Sequence, residues 1–317
     1  MITQLTNFGD TISKEEDMFE RILLPLDGSQ LAESAIPYGE ELAGRLGSEV
    51  ILLHAFASQQ QPFYYMHKLY LENMASTIRH NVKKKFPRSK ECQVRAEVVF
   101  GEPADVICDY VDKNDIGMVV LATHGASGLK VWVMGSVVDK IVRAANVPTL
   151  LIRAKEDRSA ERKKRLISRI LLPLDGSDAS RISVPYALEL AKKLKASIVL
   201  YRMVQRAYSY LAMEGIAAGG ALDLARMEAA AERSVRAYLV NIEKELRQNG
   251  VPVTHSVTYG IDAAQEILAH ETKAGVDLVA MTTRGRSPIA RWVFGSVAEK
   301  IIREGDLPLL LIRRPTD

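Results

Sequence analysis

The sequence predicts an α/β fold of two tandem doubly wound domains, each a parallel sheet with helices on both faces. Three observations carry this. Apolar runs alternate with amphipathic runs in the order β-α-β-α-β-α-β-α-β, and that order occurs twice in 317 residues. The same nine residues, Arg-Ile-Leu-Leu-Pro-Leu-Asp-Gly-Ser, open one half at Arg21 and the other at Arg169. A glycine-bearing stretch from Ala122 to Ser136 recurs from Thr282 to Ser296, with Gly125 to Gly135 and Gly285 to Gly295 at identical spacing. Strand–helix alternation implies parallel strands joined by right-handed crossovers, and the length suits two domains. The predicted boundaries are a tail over 1–18, a first domain over 19–154, a linker over 155–167 and a second domain over 168–314.

In chain order, Arg21 to Pro25 is short, apolar and strand-like, and Ser29 can cap the helix that follows. That helix is predicted from about Leu31 to Leu46, with Ala35, Leu42, Ala43 and Leu46 as apolar positions and a stop near Gly47; its counterpart covers about Ala179 to Leu194. The second strands, Val50 to Phe56 and Ile198 to Val204, are continuous apolar runs suited to a sheet covered on both faces. Long helices follow, from about Met66 to Phe86 and Leu222 to Gln248. The middle of the second half is the longer by about a dozen residues. It includes Gly215, Gly219 and Gly220 in a stretch that reads as a flexible connection or a lid. Third strands (Arg95 to Phe100, Thr254 to Tyr259), helices (Pro103 to Lys113, Ala263 to Lys273) and fourth strands (Met118 to Thr123, Leu278 to Thr283) complete the pattern. Each half closes on a strand with Pro near its entrance, Val147 to Arg153 or Leu307 to Arg313. These two closing strands read as apolar sheet edges, which must be paired or covered, either within the chain or in a homodimer.

The glycine loop sits between the fourth strand and the last helix. The first turn of a helix has N–H groups without intrahelical acceptors, and the aligned peptide dipoles leave partial positive charge there. A phosphate fits such a place. Gly135 would let the backbone approach an anion, Ser136 can cap the helix or donate to a phosphate oxygen, and Gly125 and Gly128 permit the loop's turns. The bland alternative is a turn with an N-cap and no ligand, and duplication with Trp132 and Trp292 in register weighs against it. Ligands of such sheets bind beyond the carboxyl ends of the strands, where strand order reverses. That places Asp27 and Asp175 on one side of a cleft and the glycine loops on the other. The aspartates also read as caps beside Ser29 and Ser177.

Composition is globular, with 47% hydrophobic and 26% charged residues, and a net charge of +3 gives no general case for nucleic acid. The basic cluster Arg158 to Arg169 is mixed with acids and reads as a linker. Cys92 and Cys108 lack any framework spacing and read as reduced thiols of a cytoplasmic protein. Met1 to Asp17 lacks the apolar core of a signal peptide, and no run approaches the ~20 apolar residues of a membrane span.

These residues resemble the universal stress protein family in its tandem form, across about Phe19 to Arg153 and Ser168 to Arg313. The family's nucleotide signature is Gly, two residues, Gly, nine residues, Gly, then Ser or Thr. Here the second and third glycines are Gly125 and Gly135, before Ser136, and Gly285 and Gly295, before Ser296. The first is replaced by Ala122 and by Thr282. The resemblance implies a five-stranded, Rossmann-like, adenine-nucleotide-binding domain in each half and ATP, with Mg2+, in the cleft. It implies Asp27 and Asp175 beside the adenosine, and the main chain at Ala55 and Met203 facing the adenine. His124 and Arg284, after the first signature position, and Val137 and Val297, beyond the serines, complete the expected nucleotide-binding set. Ala122 adds one methyl; Thr282 adds a branched side chain, and Pro288 replaces Gly128. Against these, Arg284, Arg286 and Arg291 bring more positive charge than His124 and Lys130.

Efficient phosphoryl transfer is not expected. Neither loop ends in the Lys-Ser/Thr of a Walker A motif, and no residue stands out to orient water. His54, His67, His80, His124, His255 and His270 show no metal-ligand spacing. There is neither a Gly-x-Ser-x-Gly elbow nor a Gly-x-Gly-x-x-Gly after the first strand. Two classes remain: a nucleotide-binding regulatory protein with at most slow ATP hydrolysis, and an interaction module with vestigial clefts that assembles through its closing strands.

Overall fold

The apolar runs of the first half form β1 (Arg21–Pro25), β2 (Glu49–Phe56), β3 (Val94–Phe100), β4 (Met118–His124) and β5 (Thr149–Ala154). The second half repeats them as β6 (Arg169–Pro173), β7 (Ser197–Gln205), β8 (Val253–Gly260), β9 (Leu278–Thr282) and β10 (Leu309–Ile312). The helices of the first half are α1 (Gln30–Glu33), α2 (Ile36–Leu46), α3 (Gln61–Lys85), α4 (Pro103–Lys113) and α5 (Ser136–Ala144). Those of the second are α6 (Asp178–Arg181), α7 (Ser183–Leu194), α8 (Ala221–Gln248), α9 (Ala263–Ala274) and α10 (Ser296–Glu304). The computed structural model describes residues 18–57, 61–89, 91–124, 134–154, 165–205, 221–283 and 294–313. The glycine-rich stretch predicted as a connection or lid lies outside them. Among the described residues no helix is long and apolar enough to cross a membrane.

The single helix predicted after β1 is two. Pro37 and Pro185 stand in the first turns of α2 and α7. Proline has no N–H for the carbonyl four residues back and clashes with it, so the chain breaks and restarts there. The short α1 and α6 are closed off by Ser34 Oγ donating to Leu31 O at 2.7 Å and Ser183 Oγ donating to Ser180 O at 2.7 Å.

The strands form one sheet in the order β3-β2-β1-β4-β5-β10-β9-β6-β7-β8. Neighbours within each half are parallel, and β5 runs antiparallel to β10 with Leu150 opposite Leu310. The two apolar edges predicted from sequence therefore cover each other inside one chain. Alternate side chains serve opposite faces of the sheet. Ile22 and Leu24 pack in the layer that holds Leu42, Leu71, Ala187 and Leu239 of α2, α3, α7 and α8. Leu23 packs in the layer that holds Ile107, Ile141, Ile267 and Ile301 of α4, α5, α9 and α10. Full burial of each such side chain contributes about 1.5–3 kcal/mol.

Polar braces also join the halves. Glu41 is buried in α2; it accepts from Leu166 N at 2.6 Å and pairs with Arg45 at 2.7 Å, while Arg45 donates to Ile167 O at 3.1 Å. Arg153, at the end of β5, donates through Nη2 to Ile301 O at 3.1 Å and to Ile302 O in the last turn of α10. Burial pulls its guanidinium down to about 10, against the opposing pull of Glu271 and Asp306. Arg313, its counterpart, donates to Ala144 O at 2.7 Å at the end of α5. The Arg143 guanidinium lies 4.8 Å from the Phe294 ring centre, a cation–π contact across the seam.

Candidate functional site

In the first half β1 lies between β2 and β4, and in the second β6 lies between β7 and β9. Successive strands therefore run one way from β1 to β2 to β3, and the chain then crosses back to place β4 on the other side. Strand order reverses between β1 and β4, and likewise between β6 and β9. At such a point the loops beyond the two strands diverge and leave a crevice. Asp27 follows β1, and Ala122 lies near the carboxyl end of β4; Asp175 and Thr282 hold the equivalent places.

The turn after β1 is built by its own residues. Asp27 Oδ1 accepts from Ser29 N at 2.9 Å and Ser29 Oγ at 2.6 Å, and Ser29 Oγ accepts from Ala32 N at 3.1 Å, capping α1. The same contacts recur from Asp175 to Ser177 and from Ser177 to Ser180 N, at 2.9, 2.6 and 3.1 Å. The caps are therefore the serines, and one carboxylate oxygen of each aspartate holds the capping serine in place. Gly28 and Gly176 between them have φ of +83° and +82°, a left-handed conformation that glycine adopts without strain.

Across the crevice, α5 and α10 start without a side-chain cap. Their N-cap residues are Gly135 and Gly295, neither of which supplies a capping oxygen, and Ser136 and Ser296 follow, both exposed. Side chains cap α1, α6 and α9, whereas α2, α4 and α7, each with proline in its first turn, start without a side-chain cap as α5 and α10 do. Ser29 and Ser177 cap α1 and α6, and Asp262 Oδ1 accepts from Ala264 N and Gln265 N at the start of α9. Lys300 and those amides hold the Asp262 carboxyl below the usual carboxylate range. Gly135 has φ −57°, open to any residue, and a Cβ built on it would meet no atom within 4 Å. Neither backbone strain nor packing within the described residues requires glycine there.

Of the other predicted site residues, Ala55 and Met203 lie near the carboxyl ends of β2 and β7, partly buried, and Val137 and Val297 are the partly buried second residues of α5 and α10. Thr282 is 5% exposed at the end of β9, so its branched side chain is accommodated inside the protein. His124 ends β4. Gly125, Gly128, Arg284 and Gly285 lie outside the described residues.

One position was missed. His54 precedes Ala55 and lies beside the Asp27 turn, with Nδ1 2.7 Å from Leu26 O, so that this nitrogen carries the proton. Its ring stacks on His67 at 4.0 Å between centres, and Phe56 and Phe100 extend the cluster. Burial, then the His54 charge, lowers the pKa of His67. Arg202 occupies the equivalent place in β7, 5.1 Å from the Tyr238 ring centre and close over Gly176. The two clefts have an imidazole pair in one wall and a guanidinium on a phenol in the other. The paired positions are visible on aligning the second strands, but neither residue type alone marks a site.

The description "Universal stress protein family" matches residues 18–153 and 167–313. A universal stress protein of Methanocaldococcus jannaschii is 29% identical over 152 residues, 48% of this chain and 85% of that one. One of Mycobacterium tuberculosis is 23% identical over 225 residues, 71% of this chain and 70% of the relative. Among solved structures, a universal stress protein from Archaeoglobus fulgidus superposes with a TM-score of 0.63 at 19% identity, over 93% of this chain and 99% of that one. At that identity the likeness establishes the fold. Matched along both halves, the chain belongs to the universal stress protein family.

Proposed function

We propose that each half binds an adenine nucleotide, ATP with Mg2+, and that the chain acts as a nucleotide-dependent regulatory protein of the stress response with at most slow ATP hydrolysis. The phosphates lie against the first turns of α5 and α10, at Gly135, Ser136 and Val137 and at Gly295, Ser296 and Val297. The adenosine lies toward Asp27 and Ala55, or Asp175 and Met203. One observation carries the reading: two equivalent helices open uncapped at the two places where strand order reverses. The orphan N–H groups and the dipole there favour an anion. The open space at Gly135 is room for that anion, since nothing else described uses it.

The second reading, a module acting through strand-edge assembly, has less to work with, because β5 and β10 are paired to each other. Mass analysis of nucleotide in freshly purified protein separates the two. Titration calorimetry on Gly135→Val and Gly295→Val tests the sites one at a time. Each variant should bind ATP only in its other half, with its fold retained. Unchanged stoichiometry in both variants would overturn the proposal. Ligand at about 100 times its Kd should stabilise the wild type by about 2.7 kcal/mol for each occupied site.

A further inference from the structure

We propose that the second half carries a small-oxyanion site at the opposite end of the sheet from the nucleotide clefts, taking a carboxylate or a phosphate. A cavity of about 560 Å3 opens there beside the starts of β6, β7 and β8, lined by Arg169, Ser197, Arg247, Gly250 and Thr254 among others. The duplicated half shows what fills the equivalent place. In β1, Arg21 lies opposite Glu49 of β2, and the Glu49 carboxylate bridges Arg21 Nε at 3.4 Å and Arg95 Nε at 2.5 Å. Arg21 also reaches Asp115 Oδ2 at 3.2 Å. The first half thus holds its own carboxylates on this arginine.

Strand register carries each position across. Arg169 lies opposite Ser197 as Arg21 lies opposite Glu49. Thr254 pairs with Val199 as Arg95 pairs with Ile51. Gly275 stands three residues before β9, as Asp115 stands three before β4. The second half keeps the arginine and loses both of its carboxylate partners. Arg247, near the end of α8, also borders the cavity, but it is already engaged: its Nε and Nη2 donate to Val253 O at 3.2 and 2.8 Å and it pairs with Glu243 at 2.5 Å, much as Arg79 donates to Val94 O at 2.9 Å in the first half. The nearby acids are engaged elsewhere. Glu243 serves Arg247 and His255, and Asp277 Oδ2 accepts from Ser168 N, Ser168 Oγ and Arg169 N at 3.1, 2.6 and 3.1 Å. Among the described residues no carboxylate pairs with the Arg169 guanidinium. Its planar fork matches two oxygens of a carboxylate or a phosphate, and the Ser197 hydroxyl, which donates to Ser168 O at a long 3.5 Å, can turn its proton to the ligand. The ligand takes the place that the Glu49 carboxylate holds in the other half.

The test uses the full-length chain at low ionic strength, titrated separately with inorganic phosphate and with malonate. Backbone amide resonances of Ser197 and Val251 report on the cavity, and the stronger of the two anions identifies the chemistry preferred. A saturable shift is expected in the wild type, with affinity lower by about tenfold or more in Arg169→Gln. Ser197→Glu, which restores the built-in carboxylate, should abolish the response and raise Tm without any anion. Retention of the wild-type response in both variants would overturn the site. So would a response lost only in the combined Gly135→Val, Gly295→Val variant, which would assign the anion to the nucleotide clefts instead. Failure of ATP binding leaves this site standing, since the cavity lies at the other end of the strands.

Discussion

Replacing Arg153 by Met should destabilise the chain by about 1–3 kcal/mol, whereas the same change at its counterpart Arg313 should cost about 0.5 kcal/mol or less. Arg153 is 7% exposed and Arg313 is only partly buried. Methionine keeps the packing of the arginine stem and removes the donors. Of the two carbonyls that Arg153 serves, Ile301 O also accepts from Gly305 N at 2.9 Å and keeps a partner. No other donor to Ile302 O is found among the described loop and cap contacts, so it is left buried without a partner, which costs about 1–3 kcal/mol. Loss of a cation at the α10 carboxyl end adds about 0.3–1 kcal/mol, offset in part because a buried guanidinium no longer has to be desolvated. At Arg313 the carbonyl of Ala144 regains water. Urea unfolding followed by far-UV circular dichroism measures both variants. If Arg313→Met cost as much as Arg153→Met, burial would not be the deciding term and the reasoning would fail.

Two glycines of the first half should respond to alanine for different reasons. At Gly44 a Cβ would lie 2.1 Å from a Phe86 ring atom, so overpacking should cost about 1–3 kcal/mol. At Gly28 a Cβ meets nothing within 4 Å and only the φ of +83° opposes it, so about 1 kcal/mol is expected; urea midpoints rank them. Acid should also weaken the fold through two histidines. Burial lowers the pKa of His67, helped by His54, and burial lowers that of His270, helped by Lys273 and Arg169. The unfolded chain therefore takes up these protons near 6.5, before the folded chain does, and stability falls as pH drops from 6.5 toward the folded values. His270→Gln should flatten the decline in urea midpoint between about pH 7.5 and about pH 5.5, and an unchanged slope would contradict this account.

The strands were legible because Ile-Leu-Leu and Val-Ile-Leu-Leu runs can be buried only between two helical layers. Helix positions were equally plain, except where Pro37 and Pro185 each divide one amphipathic run into two. Proline suits the first turn of a helix as well as it breaks one, so sequence alone did not choose between a late start and a split. The closing strands were recognisable as edges. What covers them was not, because Leu150 and Leu310 carry the same apolar signal whether the partner is the other half or another chain. Asp27 and Gly135 stood out through the repeat. Arg153, His54 and Arg202 did not, since each takes its meaning from groups brought near by the fold: the carbonyls of α10, the ring of His67 and the ring of Tyr238.

Joining β5 to β10 in a single polypeptide has a consequence for how the protein can diversify. In an assembly of identical subunits, any substitution appears on both sides of the axis. Here each half mutates alone while the tether keeps its neighbour at hand regardless of dilution. Histidine at 54 against arginine at the equivalent 202, glutamate at 49 against serine at the equivalent 197, and the unequal middle segments are the kind of divergence this permits. One half can change its cleft while the other stays as it is.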